Sequence, residues 1–457
     1  MNSSKQRRLI SFFIDMPDWK FTPYQVLVLS FAGLIALGTL LLMTPQALAG
    51  GNSISIVDAL FTATSAVCIT GLSVVDTGTQ FSLFGQTVII FLVQVGGLGL
   101  MTMTTLMALL IGKKIRLRER VIIQQALNQL SMSGLVKLTL YIVKITLLIE
   151  FVGGTILALR LYHDYGIMGI YMGYWHAISA FCNAGFDLFG NFTSLTRYVG
   201  DFIVNMTVGV LILLGGVGFT VISDVWESRQ FSRCSLHTKI VLVTTAILTV
   251  IGTLGVFMLE FTNENTLGGL AWFDKIMASL FQSLTVRSAG YATIDIEQLH
   301  EATWLYFCVL MFIGASPAST GGGIKTTTFA VIVMAVSAFI QGKADVEIFQ
   351  RKIPYVVIYK SFAIFSIAVG LVVSFCIILS LTEEAPFILI LFEVVSALGT
   401  TGLSTGLTPE LTNTGKISIM IAMFAGRVGP MTLVLALALK KQKSSPVQYP
   451  EGKIIIG

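Results

Sequence analysis

Long apolar stretches alternate with short ones along the chain. The long ones lie near residues 24 to 45, 85 to 112, 138 to 162, 199 to 224, 236 to 260, 301 to 340, 354 to 382 and 415 to 440. Each is long enough for one bilayer crossing, which takes about 20 residues. Between the members of each successive pair lies a shorter apolar segment. These are SIVDALFTATSAVCITG ending at Gly71, YMGYWHAISAFCNAG at Gly185, FDKIMASLFQSLTVRSAG at Gly290 and FILILFEVVSALGTTG at Gly402. They are too short to cross and predict re-entrant half-helices, whose unpaired backbone groups must meet protein or a watery cavity.

Aligned on their final glycines, the short segments repeat. The spacings are 114, 105 and 112 residues; Phe61, Trp175, Leu280 and Phe392 stand ten residues before the glycine, and Ser65, Ser179, Leu284 and Ser396 six before. The third repeat departs from the others at Leu284. Further on, the following helix holds Gly96/Gly97/Gly99, Gly215/Gly216/Gly218, Gly314 and Gly426/Gly429. The pattern predicts an all-α polytopic membrane protein of four tandem helix–pore loop–helix repeats around a central pore with pseudo-fourfold symmetry. Its expected divisions are a cytoplasmic N-terminus 1–23, repeat one 24–112, a cytoplasmic linker 113–137, repeat two 138–226, repeat three 227–340, repeat four 341–440 and a C-terminal tail 441–457.

Composition agrees: 54% of residues are hydrophobic, 12% charged, and mean hydropathy is +0.84, against about 25% charged in soluble domains. The ALAG at 47–50 resembles a secretory cleavage site, but the apolar run before it is too long for a signal h-region and reads as a first span. The net charge of +5 follows topology, since 21 of the 29 Lys and Arg fall in 1–20, 113–137, 227–239, 341–360 and 440–453. By the positive-inside rule those segments and both termini are cytoplasmic, and the pore loops enter from outside. The outer connections carry Asp295, Glu297, Glu301, Glu383, Glu384 and Glu410, read as solvated surface with weak cation attraction as the alternative. Cys68, Cys182, Cys234, Cys308 and Cys376 show no pairing or zinc spacing, and His163, His176, His237 and His300 no metal spacing or nucleophile partner. No catalytic set and no metal site beyond the transported cation is indicated.

The glycines allow positive φ, so four chain segments can turn carbonyls toward one axis and replace the hydration shell of a cation. The expected filter is Ile69-Thr70-Gly71, Asn183-Ala184-Gly185, Ser288-Ala289-Gly290 and Thr400-Thr401-Gly402, with no carboxylate. Each pore helix aims the negative end of its dipole at the axis. Arg287 is expected behind the filter, bonded to backbone or to an acid.

Residues 314–328, GASPASTGGGIKTTT, interrupt a segment of apolar length. Gly and Pro are unfavourable in a helix interior by about 1 and about 3 kcal/mol, so a break near mid-membrane is expected. It is not a phosphate-binding loop, because Ile324 separates Gly323 from Lys325. A packing kink and an intramembrane gate both fit the residues. Lys325 and Arg427 are cations within apolar spans and thus functional candidates.

In these residues the chain resembles the Trk/Ktr/HKT superfamily of potassium uptake proteins. The resemblance rests on the four glycines, on 314–328, on Arg427 in MFAGRVGPMTL and on the tail YPEGKIIIG, and spans essentially the whole chain. It implies potassium as the transported ion, with Na+ dependence left open. It also implies a gate built from Gly314, Ser316, Ser319, Thr320, Gly321, Gly322, Gly323, Lys325 and Arg427. No cofactor is expected on this chain; nucleotide would sit only on a cytosolic ring of KtrA-like, nucleotide-binding regulatory subunits. The resemblance further implies a homodimer in the bacterial plasma membrane, and no nucleic acid partner is expected. A secondary transporter of another small cation or solute is the alternative; it would be expected to show inverted repeats, whereas these share one orientation.

Overall fold

The computed structural model describes residues 22–99, 102, 106 and 135–437. The expected N-terminus before Thr22, most of the linker and the tail lie outside the described residues. Repeat one comprises α1 (Pro23–Leu42), α2 (Ile56–Val67) and α3 (Leu83–Leu98). Repeat two comprises α4 (Leu135–Tyr165), α5 (Ile167–Phe181), α6 (Phe202–Val217) and α7 (Phe219–Ser228). Repeat three comprises α8 (Leu236–Glu260), α9 (Trp272–Thr285), α10 (Glu301–Phe312) and α11 (Thr326–Ile340). A hairpin of β1 (Glu347–Ile348) and β2 (Arg351–Lys352) leads into repeat four: α12 (Tyr355–Thr382), α13 (Phe387–Gly399), α14 (Asn413–Val428) and α15 (Pro430–Leu437).

The described single helices long and apolar enough to cross a membrane are α1, α4, α8 and α12, one opening each repeat. The half-helices α2, α5, α9 and α13 have 12 to 15 residues, about 18–23 Å at 1.5 Å per residue, short of a hydrocarbon core of about 30 Å. Helix starts are fixed locally by side-chain caps. Ser55 accepts from Asp58 N (3.0 Å), Asp201 from Val204 N (3.0 Å) and Thr412 from Gly415 N (3.1 Å). Apolar side chains such as Leu159, Met258 and Leu381 point outward, as lipid requires.

The closing helix of every repeat is broken, not only that of repeat three. α3 stops at Gly99 (φ 83°), α6 at Gly218 (φ 102°) and α14 at Gly429 (φ 92°), each with ψ between 134° and 139°. At Gly218 the chain turns by 94° into α7. The candidate spans over 199–224 and 415–440 are thus each interrupted by a glycine, and that over 85–112 is broken at Gly99. A residue at positive φ with extended ψ leaves the helical hydrogen-bond ladder, and glycine does so without a Cβ penalty. Repeat three instead inserts residues 313–325, pinned at its neck by a parallel bridge between Ile313 and Ile324.

The glycines upstream of these breaks have a second role. A Cβ at Gly96, Gly215 or Gly426 would strike the carbonyl of Val67, Phe181 or Leu398, in each case the residue four before the filter glycine. Glycine thus lets the closing helix pass against the end of its own half-helix. Phe61, Trp175 and Phe392 on these half-helices are buried, while Leu280 of repeat three is half-buried.

Candidate ion pathway

The four glycine turns share one backbone pattern. Ile69, Asn183, Ser288 and Thr400 have φ of 52°, 56°, 81° and 49°, and Gly71, Gly185, Gly290 and Gly402 have 88°, 70°, 79° and 91°. The middle residues Thr70, Ala184, Ala289 and Thr401 stay outside the left-handed region. The turns also form a closed ring. A Cβ on Gly71 would meet Ala184 O, one on Gly185 Ala289 O, one on Gly290 Thr401 O, and one on Gly402 Thr70 O. Each repeat therefore abuts the next in chain order, and repeat four abuts repeat one.

The serines six residues before the glycines brace these turns. Ser65 Oγ accepts from Gly71 N (3.0 Å) and Ser396 Oγ from Gly402 N (3.1 Å), while Ser179 Oγ donates to Phe186 O (2.9 Å). Repeat three has Leu284 there. Its turn is held by Thr285 O, which accepts from Ala289 N (2.9 Å), and by Ser288 Oγ, which donates to Thr400 O (3.1 Å). The buried Arg287, expected to bond backbone or an acid, instead donates from Nη2 to Thr249 Oγ1 at 2.9 Å, with no ion pair to an acid among the described residues.

On one side of the ring lies a cavity of about 620 Å³ lined by all four glycines and by Asp76, Asp187, Asp295 and Glu297, with no Lys or Arg in its wall. Asp76 and Asp187 carry no recognisable motif; only their places five and two residues after a filter glycine hint at a role. Burial, and the nearby Asp295 and Glu410, push the Glu297 carboxyl above the ordinary glutamate range.

On the other side lies the 313–325 insertion. Gly322 N donates to Ser288 Oγ (3.0 Å) and Thr400 Oγ1 (3.1 Å). Thr320 N donates to Gly215 O (3.1 Å), Ser316 N to Gly216 O (3.0 Å) and Thr320 Oγ1 to Phe181 O (3.0 Å). The Asn183 amide sits 3.3 Å from Thr320 Oγ1. Within the loop, Ser319 Oγ donates to Ser316 O (2.6 Å), Ser316 Oγ pairs with Thr326 Oγ1 (2.9 Å) and Lys325 Nζ donates to Gly321 O (2.9 Å). A Cβ at Gly314 would meet Gly322 O, one at Gly321 Ser288 Oγ, and one at Gly323 the Gly314 backbone. Arg427 donates to Thr320 O, to Gly96 O and, at 3.1 Å, to Gly97 O. One guanidinium so ties the loop to the closing helix of repeat one.

Residues 15–448 match the family described as TrkH, cation transport protein. The chain belongs to this family of cation transport proteins. It is 46% identical over 439 residues to Ktr system potassium uptake protein B of Bacillus subtilis, covering 96% of this chain and 97% of the relative. It is 39% identical over 436 residues to the protein of that name from Vibrio alginolyticus (95% and 94%) and 37% identical over 444 residues to the potassium/sodium uptake protein NtpJ of Enterococcus hirae (96% and 98%). The crystal structure of the potassium transporter TrkH from Vibrio parahaemolyticus shares the fold, with TM-score 0.75 and 18% identity over 92% of this chain and 86% of that one. This is a multi-pass membrane transport protein of the Trk/Ktr superfamily and not an enzyme.

Proposed function

We propose that the chain is the ion-conducting subunit of a potassium uptake system in the bacterial plasma membrane, with both termini in the cytoplasm. The observation that carries this reading is the closed ring of four positive-φ glycine turns, which sets backbone carbonyls and no carboxylate around one axis. Such a ring suits a weakly hydrated monovalent cation. The acidic cavity on the glycine side is the extracellular vestibule and raises the local cation concentration. The 313–325 loop, with Lys325 and Arg427, is the gate, bonded shut beneath the first residues of the filter. The names of relatives as potassium uptake proteins of a Ktr system support the cargo. The reading extends to a homodimer, to control by a cytosolic ring of nucleotide-binding subunits, and to a chain that binds no nucleotide itself. Sodium dependence is part of the test.

The chain, produced with its cytosolic partner in a bacterium lacking potassium uptake, is expected to restore growth at low potassium and rubidium influx, measured with and without sodium. Rubidium influx no higher than in the empty strain under both conditions overturns the assignment.

A further inference from the structure

The stretch just beyond each filter glycine forms the vestibule floor, and the four repeats do not hold it alike. Nine residues before the glycine, on the half-helix, stand Thr62, His176, Phe281 and Glu393. In repeat four, Glu393 is fully buried and its carboxylate accepts three hydrogen bonds from the segment that leaves the filter: Ser404 Oγ (2.5 Å), Thr405 N (3.1 Å) and Thr408 Oγ1 (2.6 Å). In repeat two, His176 does the same with a neutral ring. Its Nδ1 donates to Met172 O (2.7 Å), which leaves Nε2 to accept from Leu188 N (3.2 Å). Leu188 and Thr405 both stand three residues after their glycine. A glutamate and a histidine thus occupy one position of the repeat and capture the same backbone amide.

Repeats one and three lack this link. Thr62 Oγ1 donates into its own helix, to Asp58 O (2.9 Å), and Phe281 offers no acceptor. Beyond Gly290 the exit segment is held from elsewhere, by Ser194 Oγ accepting from Ala292 N (3.0 Å) and by Leu195 N donating to Ala292 O (2.9 Å). Because the ring follows chain order, repeats two and four face each other across the axis. The ring is fourfold in its glycines and twofold in this one link.

We propose that Glu393 and His176 are positioning residues for the selectivity filter: they clamp the exit segments of two opposed turns to their half-helices and thereby set the discrimination between potassium and sodium. Neither side chain touches the ion. A filter of backbone carbonyls discriminates by the spacing and stiffness of its oxygens, and a segment freed at its third residue can let those oxygens close around a smaller ion. The inference rests on the filter assignment made above.

The test is the ratio of rubidium to sodium influx, normalised to protein in the membrane, for the full chain with its partner. Glu393→Ala and His176→Leu are expected to lower the ratio about tenfold, the scale of one lost charge-assisted or buried hydrogen bond. Glu393→Gln, which keeps an oxygen acceptor, and His176→Gln, which offers an amide oxygen in place of Nε2, are expected to retain most of it. Thr62→Val is expected to leave it unchanged. If Glu393→Ala does not accumulate, Ser404→Ala and Thr408→Val each remove one donor while keeping the carboxylate, and are expected to shift the ratio in the same direction. Gly402→Ser separates the two levels of the argument. An unchanged ratio in that variant overturns the filter assignment, and with it the basis of the clamp. A shift there with wild-type ratios in the clamp variants overturns the clamp alone.

Discussion

Glu297 shows how position on a turn confers a property that residue type does not. It shares the vestibule wall with Asp76, Asp187 and Asp295, and burial beside Asp295 and Glu410 raises its affinity for a proton. A carboxyl with a raised pKa loses its charge earlier as the pH falls, so acidifying the outside removes negative charge from the cavity over a pH interval above that of an ordinary glutamate. Rubidium influx at low ionic strength is expected to decline over that interval. Glu297→Gln is expected to show a flatter decline, and raising the salt to screen the vestibule is expected to flatten it in both. Identical pH profiles for the two proteins at low salt would contradict the role. The four glycine turns were legible in the sequence because positive φ is a conformation that glycine adopts freely. Their partners Ile69, Asn183, Ser288 and Thr400 adopt it too, but a residue with a Cβ gives no such signal. The clamp by His176 and Glu393 was invisible for a related reason: its acceptors and amides meet only when the chain has turned through the filter.

The closing helices carry the same lesson at the scale of an element. Gly, Pro and small polar residues concentrated over 314–328 announced the break in repeat three, whereas single glycines at 99, 218 and 429 did not distinguish a break from close packing. The structure uses the glycines for both purposes, packing at Gly96, Gly215 and Gly426 and breaking three residues later. In repeat three the added loop fills the space below the ring, and Arg427 reaches it from the corresponding helix of repeat four. A charge-assisted hydrogen bond contributes about 1.5–3 kcal/mol. Arg427→Ala removes three such bonds from the described arrangement, so the shift toward an open loop, and hence rubidium influx, is expected to be about tenfold or more where the closed state dominates. Deletion of Gly321–Gly323 is expected to act in the same direction by withdrawing the Gly322 amide from Ser288 and Thr400. Wild-type influx in both variants, at equal protein in the membrane, would remove the loop from the gate.

For the whole molecule the decisive contact is the seam between repeats four and one, which are not neighbours in the chain yet must close the ring. Near the vestibule end, Lys416 at the start of α14 and Asp58 at the start of α2 form an ion pair at 2.7 Å, with side chains 13% and 21% exposed. Toward the other end, Gln25 Nε2 on α1 donates to Ala436 O on α15 (3.3 Å). Between them, Gly402 abuts Thr70 and Gly71 in the filter itself. The ion pair lies mostly out of water, so removing one partner leaves the other charge poorly solvated, at a cost of about 1–2 kcal/mol, between the values for exposed and fully buried pairs. Asp58→Asn and Lys416→Met are therefore each expected to lower the melting temperature of the purified protein. The charge reversal Asp58→Lys with Lys416→Asp is expected to recover most of the loss, because the pair re-forms in the opposite sense. The seam also positions the fourth turn against the first, so the single variants are expected to reduce rubidium over sodium discrimination together with stability. A double reversal that lowers the melting temperature by as much as the two single losses together would mean that the pair does not hold the seam. Closure would then rest on helix packing, the Gln25–Ala436 hydrogen bond and the contact of the filter turns.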